Sequence, residues 1–180
     1  MASIKGFQLK NVKQPLGREG YGCIATMYLH GKKIGTYEDY GDGACENVTY
    51  VSSDAKEAMI KVIIEYAKGY ENTFMVNLYN ERPHQFEEEC RHFKQRYPFI
   101  PDEDINIQTM ASNSIVYIVE GVLELMDHEK YFKKYQKQGY RAISLDGGRL
   151  AAYPASWSDE RIKASAIGKT LYMSLDDFNQ

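Results

Sequence analysis

Cysteine is scarce in this 180-residue chain and poorly placed for chemistry. The three cysteines, Cys23, Cys45 and Cys90, are odd in number and form no Cys-x-x-Cys pair. A disulfide framework and a zinc site are therefore not expected, and a reducing compartment is. Long apolar runs are missing too. The most apolar stretch, Ile115 to Met126, is interrupted by Glu120 and Glu124 and falls well short of the ~20 residues a membrane span needs. The first residues, Met1-Ala2-Ser3-Ile4-Lys5-Gly6-Phe7, lack the apolar centre of a secretory signal, so a soluble, cytoplasmic protein with no membrane association is the expectation. Charge of one sign is also in short supply. A net charge of −3 suits neither a nucleic-acid coat protein nor an acidic DNA mimic. No internal repeat and no low-complexity linker interrupts the chain.

Recognisable catalytic sets are absent as well. Gly17-Arg18-Glu19-Gly20-Tyr21-Gly22 holds three glycines within six residues and could cradle an anion on its N–H groups. It leads into a strand-like run, however, whereas phosphate loops lead into a helix. His84, Glu88 and His92 stand four apart on a helical pattern, a ligand-like spacing with no further strong ligand signalled nearby, so a solvated helix face is expected and no metal. No cysteine has a local signature for activation; Cys45, in a loop, is the one worth testing for reactivity. No catalytic residue and no cofactor is assigned.

What is present is an ordinary core former, 43% hydrophobic and 26% charged, with 15 tyrosines against one Trp and seven Phe. Tyrosine is enriched at protein interfaces and also in half-buried sheets. Ile4 to Val12 reads as a first strand. Tyr21 to Leu29 and Lys33 to Tyr40 read as a hairpin around His30-Gly31-Lys32, and Val48 to Val51 as a short strand after the Gly41-Asp42-Gly43 turn. Helical spacing follows: Ala55, Met59, Val62, Ile63 and Tyr66 behind a Ser52 or Ser53 cap, with Gly69 as the stop. Thr73 to Leu78 is either a fifth strand or an irregular link. Pro83 opens a second helix with Phe86, Cys90, Phe93 and Tyr97 on one face. A third runs from a Ser112 or Asn113 cap to Gly139 with Ile115, Val119, Val122 and Met126 inward. Its last turns gather Lys130, Lys133, Lys134 and Lys137, which complement the helix dipole, with phosphate binding as the alternative role. Tyr140 to Leu145, the Asp146-Gly147-Gly148 turn and Leu150 to Tyr153 form a second hairpin. A Ser158-capped helix and a closing strand, Thr170 to Leu175, complete the chain.

This order predicts one α+β domain, mainly antiparallel, with an N-terminal β-hairpin unit (1–52), a helical middle (53–139) and a C-terminal ββαβ stretch (140–180). The closing strand is expected in the same sheet as the N-terminal hairpin, because a lone short strand is unstable.

Charge changes sign along the chain. Lys5, Lys10, Lys13, Arg18, Lys32 and Lys33 face only Glu19 up to Gly35. Glu38, Asp39, Asp42, Glu46, Asp54 and Glu57 then oppose Lys56. Opposite charges on adjacent strands can pair across a sheet, or form a dipolar surface for a charged partner. Arg18, Glu19, Tyr21, Lys32 and Lys33 are the candidate binding residues, and an Arg/Tyr/Lys patch also suits single-stranded nucleic acid.

The loop Gly17-Arg18-Glu19-Gly20-Tyr21-Gly22, the run Ala25-Thr26-Met27-Tyr28-Leu29 and the Gly31-Lys32-Lys33-Ile34-Gly35 turn, preceded by Val12-Lys13, resemble an uncharacterised family of small phage and mobile-element proteins. Tyr131 through the Asp146-Gly147-Gly148 turn to the Ser158 helix is similar more loosely; together these segments cover about half of the chain. The resemblance implies a mobile-element accessory protein in a bacterial host and supplies no activity or catalytic residue. The expectation is a non-catalytic protein that binds a host protein or ribonucleoprotein complex, such as an anti-CRISPR or anti-restriction inhibitor. Direct nucleic-acid binding through Arg18, Tyr21, Lys32, Lys33 and the lysines of the third helix is the first alternative. A small hydrolase of nucleotides or nucleotide second messengers, centred on His84, His92 or Cys45, is the second.

Overall fold

The computed structural model describes residues 1–68, 80–105, 115–146 and 148–180. The expectations placed on Gly69, Thr73 to Leu78, the Ser112 or Asn113 cap and Gly147 lie outside the described residues. The fold is α+β, with two antiparallel sheets of four and three strands and, among the described residues, four helices. Contacts divide the chain into two compact units, Phe7–Glu120 and Met1–Gly6 with Gly121–Gln180.

The first unit is built on strands β1 (Phe7–Lys13), β2 (Cys23–Leu29), β3 (Lys32–Asp39) and β4 (Asn47–Tyr50), paired in that order. Period-two alternation sets its faces: Phe7, Leu9, Cys23, Ala25, Met27, Leu29 and Tyr37 are buried, while Gln8, Lys10, Ile24, Thr26, Tyr28, Thr36 and Glu38 between them are only partly covered. His30 and Gly31 join β2 to β3 with φ of 47° and 79°, the two left-handed residues of a type I′ turn that matches strand twist. Helix α1 (Ser53–Ala67) is capped by Ser52, whose hydroxyl accepts from the Ala55 N–H at 3.1 Å. Helix α2 (Pro83–Arg96) starts on Pro83. Its Phe93, with Tyr97 just beyond it, packs on Ile60 and Ile64 of α1 and on Ile100, and Phe86 and Cys90 lie against the same cluster. The apolar face read from the spacing of α2 is therefore a core face.

Helix α3 (Ile115–Lys137) contributes Ile115 to Glu120 to this unit and the remainder to the second. There it is followed by strands β5 (Tyr140–Asp146) and β6 (Arg149–Pro154), helix α4 (Asp159–Ser165) and strand β7 (Thr170–Tyr172), then a 3-10 turn at Leu175–Phe178. Ser158 caps α4 by accepting from the Arg161 N–H at 3.3 Å. Ile162 and Ala166 pack on Ala142 of β5 and Tyr153 of β6.

The closing strand departs from its expected place. β7 pairs antiparallel with β5 (Ile143↔Tyr172, Leu145↔Thr170), giving the order β6-β5-β7, and does not join the N-terminal sheet. The second hairpin leaves one edge of β5 open, and the short α4 excursion returns the chain to it, the usual outcome for elements near in sequence. Tyr172 is held there by stacking on Phe178 (centroids 4.4 Å apart, planes at 9°) and by its hydroxyl, 2.9 Å from His128 Nδ1 on α3.

Candidate functional site

At one end of the four-stranded sheet the glycine loop lies backbone to backbone against residues 40–43. The loop is a tight reversal: the Gly17 N–H donates to the Gly20 carbonyl at 2.8 Å, the Gly22 N–H donates to Pro15 at 2.9 Å, and Leu16 and Tyr21 form an antiparallel bridge. The Glu19 N–H crosses to the Gly41 carbonyl at 2.7 Å. Close approach explains the glycines. A Cβ on Gly17 would stand 2.2 Å from the Tyr40 carbonyl oxygen, one on Gly22 2.1 Å from that of Asp39, and one on Gly41 2.3 Å from that of Gly20. Two short loops thus share a glycine interface that no side chain can enter.

The double loop exposes three large apolar side chains. Leu16 is 72% exposed, Tyr21 74% and Tyr40 52%, and the backbone contacts above bring their chain positions together. Isolated exposed apolar residues mean little, whereas apolar side chains carried on adjoining backbone add up to a larger exposed patch. Arg18 adds a cation with 81% of its side chain exposed. It donates to the Asp42 carbonyl at 3.3 Å and stands 3.6 Å from the Glu19 carboxylate. Arg18 and Glu19 therefore meet the Gly41–Gly43 turn rather than Lys32 or Lys33.

Lys32 and Lys33 lie at the other end of the sheet. They follow the His30-Gly31 turn, whereas the glycine loop precedes Cys23, so the whole of β2 separates them, roughly 20 Å for seven residues. The structure brings Arg18, Glu19 and Tyr21 together and leaves Lys32 and Lys33 in a second group. That group contains Tyr28, opposite Lys33 in register, and Lys10, whose ammonium sits 4.3 Å from the Tyr28 ring centroid. The alternating charges do not pair across the sheet: of the charged residues read up to Glu57, only Arg18 and Glu19 form a side-chain ion pair among the described residues.

His84, Glu88 and His92 lie on the exposed face of α2, and no group of three or more metal-ligating side chains occurs among the described residues. Cys45 is exposed and Cys23 buried. Burial, with the Asp39 carboxylate nearby, pushes the Cys23 thiol up to about 11. On α3, Lys133 is taken up by Glu129 at 2.7 Å.

Sequence reading missed two features. Leu16 and Tyr40 belong to the double loop, and only the Tyr count hinted at such a surface. A cleft of about 380 Å³ also opens beside β4, lined by Val48, Tyr50, Ile60, Ile63, Tyr97 and Ile115, with Glu46, Lys56 and Arg96 supplying its charge. Burial, with Tyr97 adjacent, pushes the Tyr50 phenol up to about 12, so its hydroxyl stays a neutral donor and acceptor at physiological pH. These residues come from four elements and share no sequence pattern. No family model, curated protein or solved structure matches this chain.

Proposed function

We propose that this chain is a non-catalytic binding protein that docks on a protein partner through the double loop. In the mobile-element setting its resemblance implies, that partner is host machinery and the outcome counter-defence, with a CRISPR or restriction complex as the narrowest form of the reading. One observation carries the docking part: Leu16, Tyr21, Tyr40 and Arg18 stand exposed on a backbone braced before any partner arrives. Tyr and Arg are the residues most often found at energetic centres of interfaces, and a loop already ordered loses little entropy on binding.

A second reading, direct binding of single-stranded nucleic acid, draws on Lys10, Tyr28, Lys32 and Lys33 at the far end of the sheet. Stacking on a tyrosine beside several cations is the usual chemistry of such sites. Affinity purification from a bacterial host, with mass spectrometry and nucleic-acid staining, separates the two. The protein reading expects an enriched protein partner that is lost with Tyr21→Ala or Leu16→Ser and retained with Lys32→Ala/Lys33→Ala. Recovery of nucleic acid alone, lost with the lysine variant, overturns it.

A further inference from the structure

We propose that the outer edge of β4 and the cleft beside it receive an extended segment of another polypeptide, which adds as a strand and places an apolar side chain in the cleft and an acidic one at Lys56 and Arg96. This deepens the protein-binding reading at a different surface. Among the described residues β4 pairs only with β3. The Val51 N–H donates to the Ile34 carbonyl at 2.9 Å, and the register continues as Thr36↔Thr49 and Glu38↔Asn47. Hydrogen-bonded pairs in an antiparallel ladder recur every second residue, so Asn47 and Thr49 direct their backbone groups at β3. Val48 and Tyr50 direct theirs away, and none of those four groups has a backbone partner among the described residues.

The side chains of these same two residues line the cleft. A residue laid opposite Val48 or Tyr50 would project on the same face as they do, against Ile60, Ile63 and Ile115. Backbone groups with no backbone partner among the described residues and a side-chain recess thus coincide at the same positions, which is how strand addition combines affinity with selectivity. Charge narrows the occupant. Lys56 and Arg96 are exposed and make no ion pair among the described residues, and Glu46 is the single acid of the cleft. Two cations against one carboxylate favour an acidic group on the incoming segment, two residues from the apolar one so that both share a face.

The test uses the full ¹⁵N-labelled chain and capped pentapeptides of the pattern Thr-X-Thr-Asp-Thr, with X as Leu, Met, Phe or Val, together with their Asp-to-Lys counterparts. The expected result is saturable shifts and slowed hydrogen exchange at the Val48 and Tyr50 amides. Affinity should be about tenfold higher for the Asp peptides, with that preference reversed in Arg96→Glu and in Lys56→Glu. Both substitutions are at exposed positions, so either serves if the other folds poorly. The proposal is overturned if no peptide perturbs the β4 edge at millimolar concentration, if the charge preference survives both variants, or if light scattering shows the edge taken up by a second copy of the chain. Loss of peptide binding with partner capture through Leu16 and Tyr21 intact would leave the double-loop reading standing.

Discussion

Gly17, Gly22 and Gly41 each stand against a carbonyl of the facing segment, so a side chain at any of them must displace backbone. The Gly-Arg-Glu-Gly string marks a bend, while its contact with residues 40–43 depends on β2 and β3 returning both segments to one end of the sheet. The consequence is measurable. Gly22→Ala drives a Cβ into the Asp39 carbonyl and should cost about 1–3 kcal/mol in chemical denaturation, the usual penalty for overpacking. Arg18→Ala removes a side chain that is 81% exposed and makes one long hydrogen bond. Its unfolding free energy should stay within about 0.5 kcal/mol of the parent, so weaker partner binding by that variant would report contact rather than bracing. Cysteine reactivity separates as burial dictates. A disulfide reagent at pH 8 should modify exposed Cys45 rapidly, and Cys23, buried with its thiol raised to about 11, only on unfolding, because the thiolate is the reactive form.

At the scale of elements, local signals were the most dependable. The Ser52 and Ser158 caps, Pro83 at the start of α2 and the His30-Gly31 turn all act within a few residues and were readable for that reason. Helix α3 carries a feature that residue spacing did not show. Glu129, 7% exposed, takes the Lys133 ammonium at 2.7 Å, the Ala2 N–H at 3.0 Å and the Met1 ammonium at 3.2 Å. Burial alone would raise its carboxyl, but the Lys133 and Ala2 bonds and the terminal ammonium outweigh it and hold the group below its ordinary value of 4.5. A lowered folded value means that the carboxylate contributes stability above the unfolded value. That contribution fades as pH falls through the folded one. Parent and Glu129→Gln should therefore differ in melting temperature at pH 7, the variant lower, and converge as pH drops from 5 toward 3. A constant difference across that range would show that packing, not charge, is at stake.

The chain is nearly neutral, and its candidate binding cations are divided between the ends of the four-stranded sheet, Arg18 at one and Lys32 and Lys33 at the other, which sets how a partner should respond to salt. Capture through Leu16, Tyr21 and Tyr40 should weaken little between 50 and 200 mM salt, whereas release of counterions from several phosphates would weaken binding by orders of magnitude; calorimetric titration of a purified partner distinguishes them. On α1 the helical period reads Met59 and Ile63 inward but omits Ile60, Ile64 and Ala67, which the fold buries, and includes Ala55, Val62 and Tyr66, which are only half-buried. The residue pattern alone sets the α+β class, the N-terminal hairpin and its turn, the Ser52 and Ser158 caps and the apolar face of α2. Each of these is set by alternation, helical period or capping over short distances. Tertiary packing was needed to place β7 beside β5, to bring residues 40–43 against the glycine loop, and to gather Val48, Tyr50, Lys56 and Arg96 at one cleft. Those outcomes depend on which strand edges remain open and on which ends of antiparallel strands coincide, and no local pattern of residues encodes either.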